Sequence, residues 1–185
     1  MAPLHSGMLL VAAPELQDPN FEQSVVLLLD ADDEGALGVI LNRPSPVLVA
    51  DVLEGWRDLA VEPDVLFQGG PVSVDGALAL ARPTDPGTPP VGFREVVDGL
   101  GVLDLDTPVE LVADGLAGLR VFVGYAGWGP GQLEDEVAEG SWYVVPGHIG
   151  DVFALDPAEL RRDVLRRQPG SLAWVSTRPV DPSQN

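Results

Sequence analysis

The feature that most narrows the fold is the grouping of apolar residues into runs of five to eight, each cut by glycine, proline or aspartate. Such runs are too short for a typical helix and too apolar for an amphipathic stripe, so they read as strands. Met8–Ala13, Ser24–Asp30 and Ala36–Leu41 come first. The last two are joined by the polar, glycine-ended stretch Ala31–Gly35, which suits a hairpin loop. Their near-continuous Val, Leu and Ile content predicts a sheet covered on both faces. Leu119–Tyr125 and Ser141–Val145 are two further strong strands; Val65–Gln68, Ala77–Ala81 and Phe93–Val97 are weaker.

Helices are fewer. Val49–Asp58 places Val49, Val52, Leu53 and Trp56 at i, i+3, i+4 and i+7, one apolar face. Pro108–Asp114 follows the cap-competent Thr107, and Pro130–Glu139 and Pro157–Arg167 each open on proline, a favoured first helical residue. Strands scattered among short helices without regular βαβ alternation predict an α+β fold. A chain of 185 residues is the size of one domain, so residues 1–185 are read as a single unit.

Composition excludes several chemistries. No cysteine is present, which removes disulfides, thiol nucleophiles and thiolate metal sites. The ten basic residues are all arginine, so a P-loop lysine and a Schiff-base lysine are both absent. With a formal charge of −19, the summed field repels nucleic acid and anionic membranes, and direct DNA binding is disfavoured. No apolar run reaches the roughly 20 residues of a membrane span, and a cytoplasmic location is expected. No cofactor or metal is expected. Asp30–Gly35 imitates the opening of a calcium loop, but Leu41 stands where a bidentate Glu is required, and a hairpin turn is the better reading.

Arg43-Pro44, Arg82-Pro83 and Arg178-Pro179 each follow a strand-like run and read as strand exits rather than an anion clamp. Arg161, Arg162, Arg166 and Arg167 share the Pro157–Arg167 helix, read as a solvated face matched to the helix dipole.

The densest motif runs from Gly124 to Glu134. Its glycines at 124, 127, 129 and 131 do not fit a dinucleotide-binding turn. A cap fits better: Gly129 as N-cap, Pro130 first in the helix, Gln132 reaching back to the cap N–H, and Trp128 stapled to Leu133. Gly124 and Gly127 are left over and predict close backbone approach. Gly69-Gly70-Pro71 ends a strand; it reads as a turn, with an oxyanion-type nest as the sharper alternative.

Taken together, Gly7-Met-Leu-Leu-Val-Ala-Ala-Pro14, Phe21 with Ser24-Val25-Val26, and Gly35-Ala-Leu-Gly38-Val-Ile-Leu-Asn42-Arg43-Pro44 resemble the YqgE/AlgH family of bacterial proteins. Gly69-Gly70-Pro71-Val72, the Gly124–Glu134 segment, Glu136 and Trp142 extend that resemblance. It implies an α+β fold with a branched sheet around a small barrel-like core and short surrounding helices. It implies no established activity, although part of the family is named a transcriptional regulator of exopolysaccharide synthesis. The chain departs from the family's usual composition in lacking lysine and in its Pro-rich tail.

The leading expectation is a non-enzymatic binding or regulatory protein. Its small-molecule or protein partner would meet Asn42, Arg43, Gly69, Gly70, Gly124, Gly127, Trp128, Gly129, Gly131, Gln132 and Glu136. The alternative is a hydrolase using a Gly69–Gly70 nest with Glu134 or Glu136 as base.

Overall fold

The computed structural model describes residues 3–176. Its strands are β1 (Met8–Ala12), β2 (Val25–Asp32), β3 (Gly35–Ile40), β4 (Pro44–Leu48), β5 (Val65–Gln68), β6 (Val72–Pro83), β7 (Phe93–Val97), β8 (Leu100–Leu103), β9 (Leu116–Trp128) and β10 (Trp142–Pro146). The helices are α1 (Val49–Val52), α2 (Val109–Val112), α3 (Gln132–Ala138), α4 (Ile149–Val152), α5 (Leu160–Arg166) and α6 (Leu172–Val175). No helix among the described residues is long and apolar enough to cross a membrane.

The fold is α+β. One antiparallel path runs β10-β1-β2-β3-β9-β6-β8-β7, and β5 joins it by pairing in parallel with β9 while β4 pairs with β5. The sheet is thus branched at β9, and it is open rather than closed into a barrel.

The first strands are apolar throughout because both faces are covered. Leu9, Val11, Val25, Leu27, Val39 and Leu41 enter one core, while Leu10, Ala12, Val26, Leu28 and Ile40 enter a second on the opposite face. That is period-two alternation with no polar side. The first core continues under β6 and β9 through Leu80 and Phe122, whereas Ala79, Ala81, Leu119 and Val121 face a third core.

β9 joins all three cores, and its inward parity changes along its length. Phe122 faces the first core; farther along, Tyr125 packs there while Ala126 and Trp128 face the second. Between them Gly124 adopts a left-handed φ of 74°. A left-handed glycine within a strand turns the chain over, as in a bulge, so one strand serves two halves of the sheet.

Several expected boundaries shift. The hairpin loop contracts to Asp33-Glu34, because β2 runs through Asp32 and β3 starts at Gly35. Asp32 Oδ1 accepts the Glu34 N–H at 2.8 Å, so the carboxylate shapes a turn, as the hairpin reading requires. The Val49–Asp58 helix breaks at Leu53 (φ −134°, ψ 62°) into α1 and a 3-10 turn at Glu54–Trp56. Val49 and Trp56 stay buried, but Val52 is 57% exposed, because the break destroys the common face. Arg82-Pro83 ends β6, Arg43-Pro44 forms the corner into β4, and Arg178-Pro179 lies outside the described residues.

The solvated reading of the arginine helix holds for only part of it. Arg162 is exposed and meets Glu159 at 3.2 Å. Arg161, however, donates Nη2 and Nε to the Ala12 carbonyl at 2.7 and 3.2 Å. Arg167 grips Asp151 through Nη1 and Nη2 at 2.7 and 2.6 Å. These two ends of α5 fasten the helix to β1 and α4.

A buried cation escaped the sequence reading. Arg120 is 2% exposed and, among the described residues, has no carboxylate partner. It donates to the Val152, Ala154 and Glu62 carbonyls at 2.9, 3.0 and 2.7 Å and lies 4.5 Å from the Phe67 ring centroid. Burial lowers its pKa to about 10. Carbonyls near the end of α4 suit a cation, and together with the ring they offset part of the desolvation.

Candidate functional site

The expected site residues separate into three groups. The first is a crossing of backbones. Gly69 donates its N–H to the Val123 carbonyl at 2.7 Å and accepts the Ile40 N–H at 2.8 Å. A β-carbon on Gly69 would overlap the Gly124 carbonyl, one on Gly70 would overlap Tyr125, and one on Gly124 would overlap the Gly70 carbonyl. The close approach expected at Gly124 is therefore present, with the Gly69-Gly70 pair as its counterpart. Gly127 departs from expectation: it is exposed, pairs with Leu37, and a β-carbon there meets only Tyr125 Cε2, at 3.6 Å.

The second group is a knot of side chains. Glu136 Oε1 accepts the indole N–H groups of Trp128 and Trp142 at 3.1 and 3.0 Å, and Oε2 accepts Gln132 Nε2 at 3.1 Å. Phe21 stacks on Trp128 at 6.0 Å and meets Trp142 edge-on at 5.7 Å. Gln132 Oε1 accepts the Gly129 N–H at 3.0 Å, the reach-back bond expected of the cap. The helix itself starts later, with Gly131 as N-cap at φ 74°. The later start also removes the expected staple: with Gly131 as N-cap, Trp128 and Leu133 no longer hold its two positions, although both are buried in one core.

These two groups already engage one N–H of the expected nest and one of its two candidate bases. The Gly69 N–H is engaged in the sheet, and both Glu136 oxygens are engaged by the knot. Glu134 lines a separate hollow of about 460 Å³ with Gly131, Asp32 and Asp33, while Gly70 lines another cleft. Among the described residues, no group of three or more His, Asp or Glu side chains is arranged to hold a metal ion.

The third group is a latch beside that cleft. Asn42 Oδ1 accepts the Val25 N–H and its Nδ2 donates to the Gln23 carbonyl, both at 2.9 Å. Arg43 donates Nη1 to the Asn20 carbonyl and Nη2 to that of Glu22, the latter at 2.8 Å. Asn42 and Arg43 thus hold the loop before β2 against the end of β3. Burial lowers the Arg43 pKa, while Glu22 and Asp18 oppose that shift.

Beyond the latch lies a cleft of about 360 Å³ lined by Asn20, Ile40, Arg43, Gln68, Gly70, Pro71, Val74 and Val123. It opens where β9 changes partners, from β3 at residues 126–128 to β5 at 122–123. One wall is the latched loop. The other is the bulge Ser73–Gly76, extruded between the pairs Val72↔Tyr125 and Ala77↔Val123. Of the expected residues, the cleft brings together Arg43 and Gly70; the Trp128–Glu136 knot lies elsewhere. Asn20, Gln68 and Val74 were missed. Only the Gln68-Gly69-Gly70 adjacency could have pointed to one of them.

The fold and cleft define a class: an α+β protein on one open, branched sheet with a polar-lipped, apolar-floored cleft at the branch. The chain belongs to the AlgH-like family, whose model matches residues 9–173. It is 58% identical over 185 residues to a UPF0301 protein of Streptomyces avermitilis, covering 97% of this chain and 95% of that one. A UPF0301 protein of Thermobifida fusca is 52% identical over 189 residues, covering 97% and 95%. Among solved structures, a protein from Corynebacterium diphtheriae superposes with a TM-score of 0.88 at 30% identity, covering 96% of this chain and 94% of that one. The AlgH protein of Pseudomonas aeruginosa, a UPF0301 member, superposes with a TM-score of 0.71 at 29% identity, covering 97% of each. These names place the chain in an uncharacterised bacterial family and assign no reaction.

Proposed function

We propose that this is a cytoplasmic, non-enzymatic binding protein whose ligand occupies the cleft between Arg43 and Gly70. Backbone strain carries this reading. The two non-glycine residues with left-handed φ among the described residues are Gln23 (62°) and Ser73 (51°), and they lie on the two segments that wall the cleft. Such conformations cost about 1–3 kcal/mol each and concentrate at functional sites. The cleft's size and its mix of an apolar floor with a few polar groups suit a small molecule. Any regulatory role would then act through ligand-dependent partner binding rather than DNA contact, since the chain carries −19.

Saturation-transfer NMR against a collection of small fragments tests this. Hits should be displaced when Val74, a 63%-exposed cleft residue, is replaced by Trp (V74W) to fill the volume. Hits that bind V74W and the parent protein equally would place the site elsewhere and sink the proposal.

A further inference from the structure

We infer that the cleft takes a small monocarboxylate with a short branched apolar body, its carboxylate on Arg43; this rests on the cleft being the ligand site. The first argument concerns charge. In a chain of net charge −19, Arg43 stands in no ion pair within 4 Å among the described residues. Among the described residues its guanidinium donates to the neutral backbone carbonyls of Asn20 and Glu22. Those bonds hold the guanidinium at the cleft wall without neutralising it. A guanidinium has five N–H donors, so the donors left over can face a second acceptor.

The second argument concerns the neighbouring donors. Asn20 and Gln68 also line the cleft, and among the described residues their exposed side-chain amides make no hydrogen bond. Each can donate an N–H to an oxygen on Arg43. An acceptor-only group with two oxygens satisfies three donors at once, and a carboxylate is the smallest such group.

The third argument sets the rest of the molecule. Ile40, Val123, Pro71 and Val74 form the apolar part of the lining, which favours a few methyl or methylene groups. Glu22 and Asp18 act electrostatically on Arg43, so added negative charge would be repelled. A single charge fits better than a phosphate or a dicarboxylate.

Isovalerate, its neutral amide isovaleramide and inorganic phosphate serve as probes in amide-resolved NMR titrations. Isovalerate should give saturable shifts at Gln68, Gly70, Val74 and Val123, with an affinity in roughly the millimolar range for so small a ligand. Isovaleramide and phosphate should each bind at least about tenfold more weakly. Arg43→Gln should abolish the shifts. Because that change also loosens the latch, Val74→Asp is the second variant: it keeps Arg43, adds a like charge to the lining and removes apolar contact for both probes, so it should weaken both but isovalerate at least about tenfold more than isovaleramide. Equal binding of isovalerate and isovaleramide at these amides would overturn the carboxylate assignment and leave the cleft as a site for neutral molecules. Shifts confined to residues outside the cleft, or none with any probe, would overturn both readings.

Discussion

Gly124 and Gly127 stand three residues apart on β9, in one glycine-rich stretch, yet the two positions obey different physics. At Gly124 the backbone is left-handed and the Gly69-Gly70 backbone crosses within contact, so the absence of a side chain is the requirement. At Gly127 the strand is regular, the position is exposed and a β-carbon has room. Just beyond it, Trp128 belongs to a knot in which side chains, not their absence, hold the structure. Glycine in a motif therefore signals close approach only where conformation or a crossing strand demands it.

The sharpest way to break this contrast is at the crossing itself. Gly124→Val should cost more than about 4 kcal/mol, because it combines an unfavourable φ with overlap against the Gly70 carbonyl. That is a large share of a typical domain's stability, and the variant should lose cooperative thermal unfolding. A well-folded Gly124→Ala that lost under about 1 kcal/mol would show that the crossing yields, and the distinction between the two glycines would fail.

The knot should give the next largest effect, through side-chain chemistry. Glu136→Ala leaves the buried Trp128 and Trp142 indoles without their acceptor, a loss of about 2–4 kcal/mol in denaturant melts. Both indoles donate to the same oxygen, so Glu136→Gln, which keeps a carbonyl there, should recover more than half of that loss. Equal losses for the two variants would mean that charge, rather than the shared acceptor, holds the knot.

What the sequence disclosed follows this division. Local patterns were legible: the two-sided apolar strands and the Gln132 reach-back bond both depend on residues close in the chain, although the cap itself lies two residues later than expected, at Gly131. The crossing was half legible, since Gly124 demanded a partner but Gly69 and Gly70 lie over 50 positions earlier. The cleft was barely legible, because Asn20 reaches it only through the Arg43 bonds to the loop, and Val74 only through the extruded bulge. Arg161 misled, and Arg120 went unread, for the same reason. An arginine that bonds to distant backbone carbonyls looks, in sequence, like one that faces water. Even on α5 the exposed Arg162 and the engaged Arg161 are adjacent, and only the tertiary position of Ala12 separates them.

A smaller effect should follow from Gln132→Ala. It removes one reach-back bond to Gly129 and one contact to Glu136, both exposed. The loss should be about 0.5–1 kcal/mol, the scale of a single capping interaction. A loss above about 2 kcal/mol would join the cap to the knot as one cooperative unit, with additivity against Glu136→Ala failing in a double-mutant cycle.

The smallest effect belongs to Gly127. Its pairing with Leu37 uses the backbone, and Tyr125 Cε2 at 3.6 Å is an ordinary van der Waals neighbour for a new methyl group. Glycine is also entropically costly in a strand, so an added side chain restrains the unfolded chain and offsets any slight crowding. Gly127→Ala should therefore stay within about 0.5 kcal/mol of the parent in denaturant melts, on either side. A larger loss would mean that the exposed face of β9 has a close neighbour after all, and Gly127 would then join Gly124 as a position defined by approach.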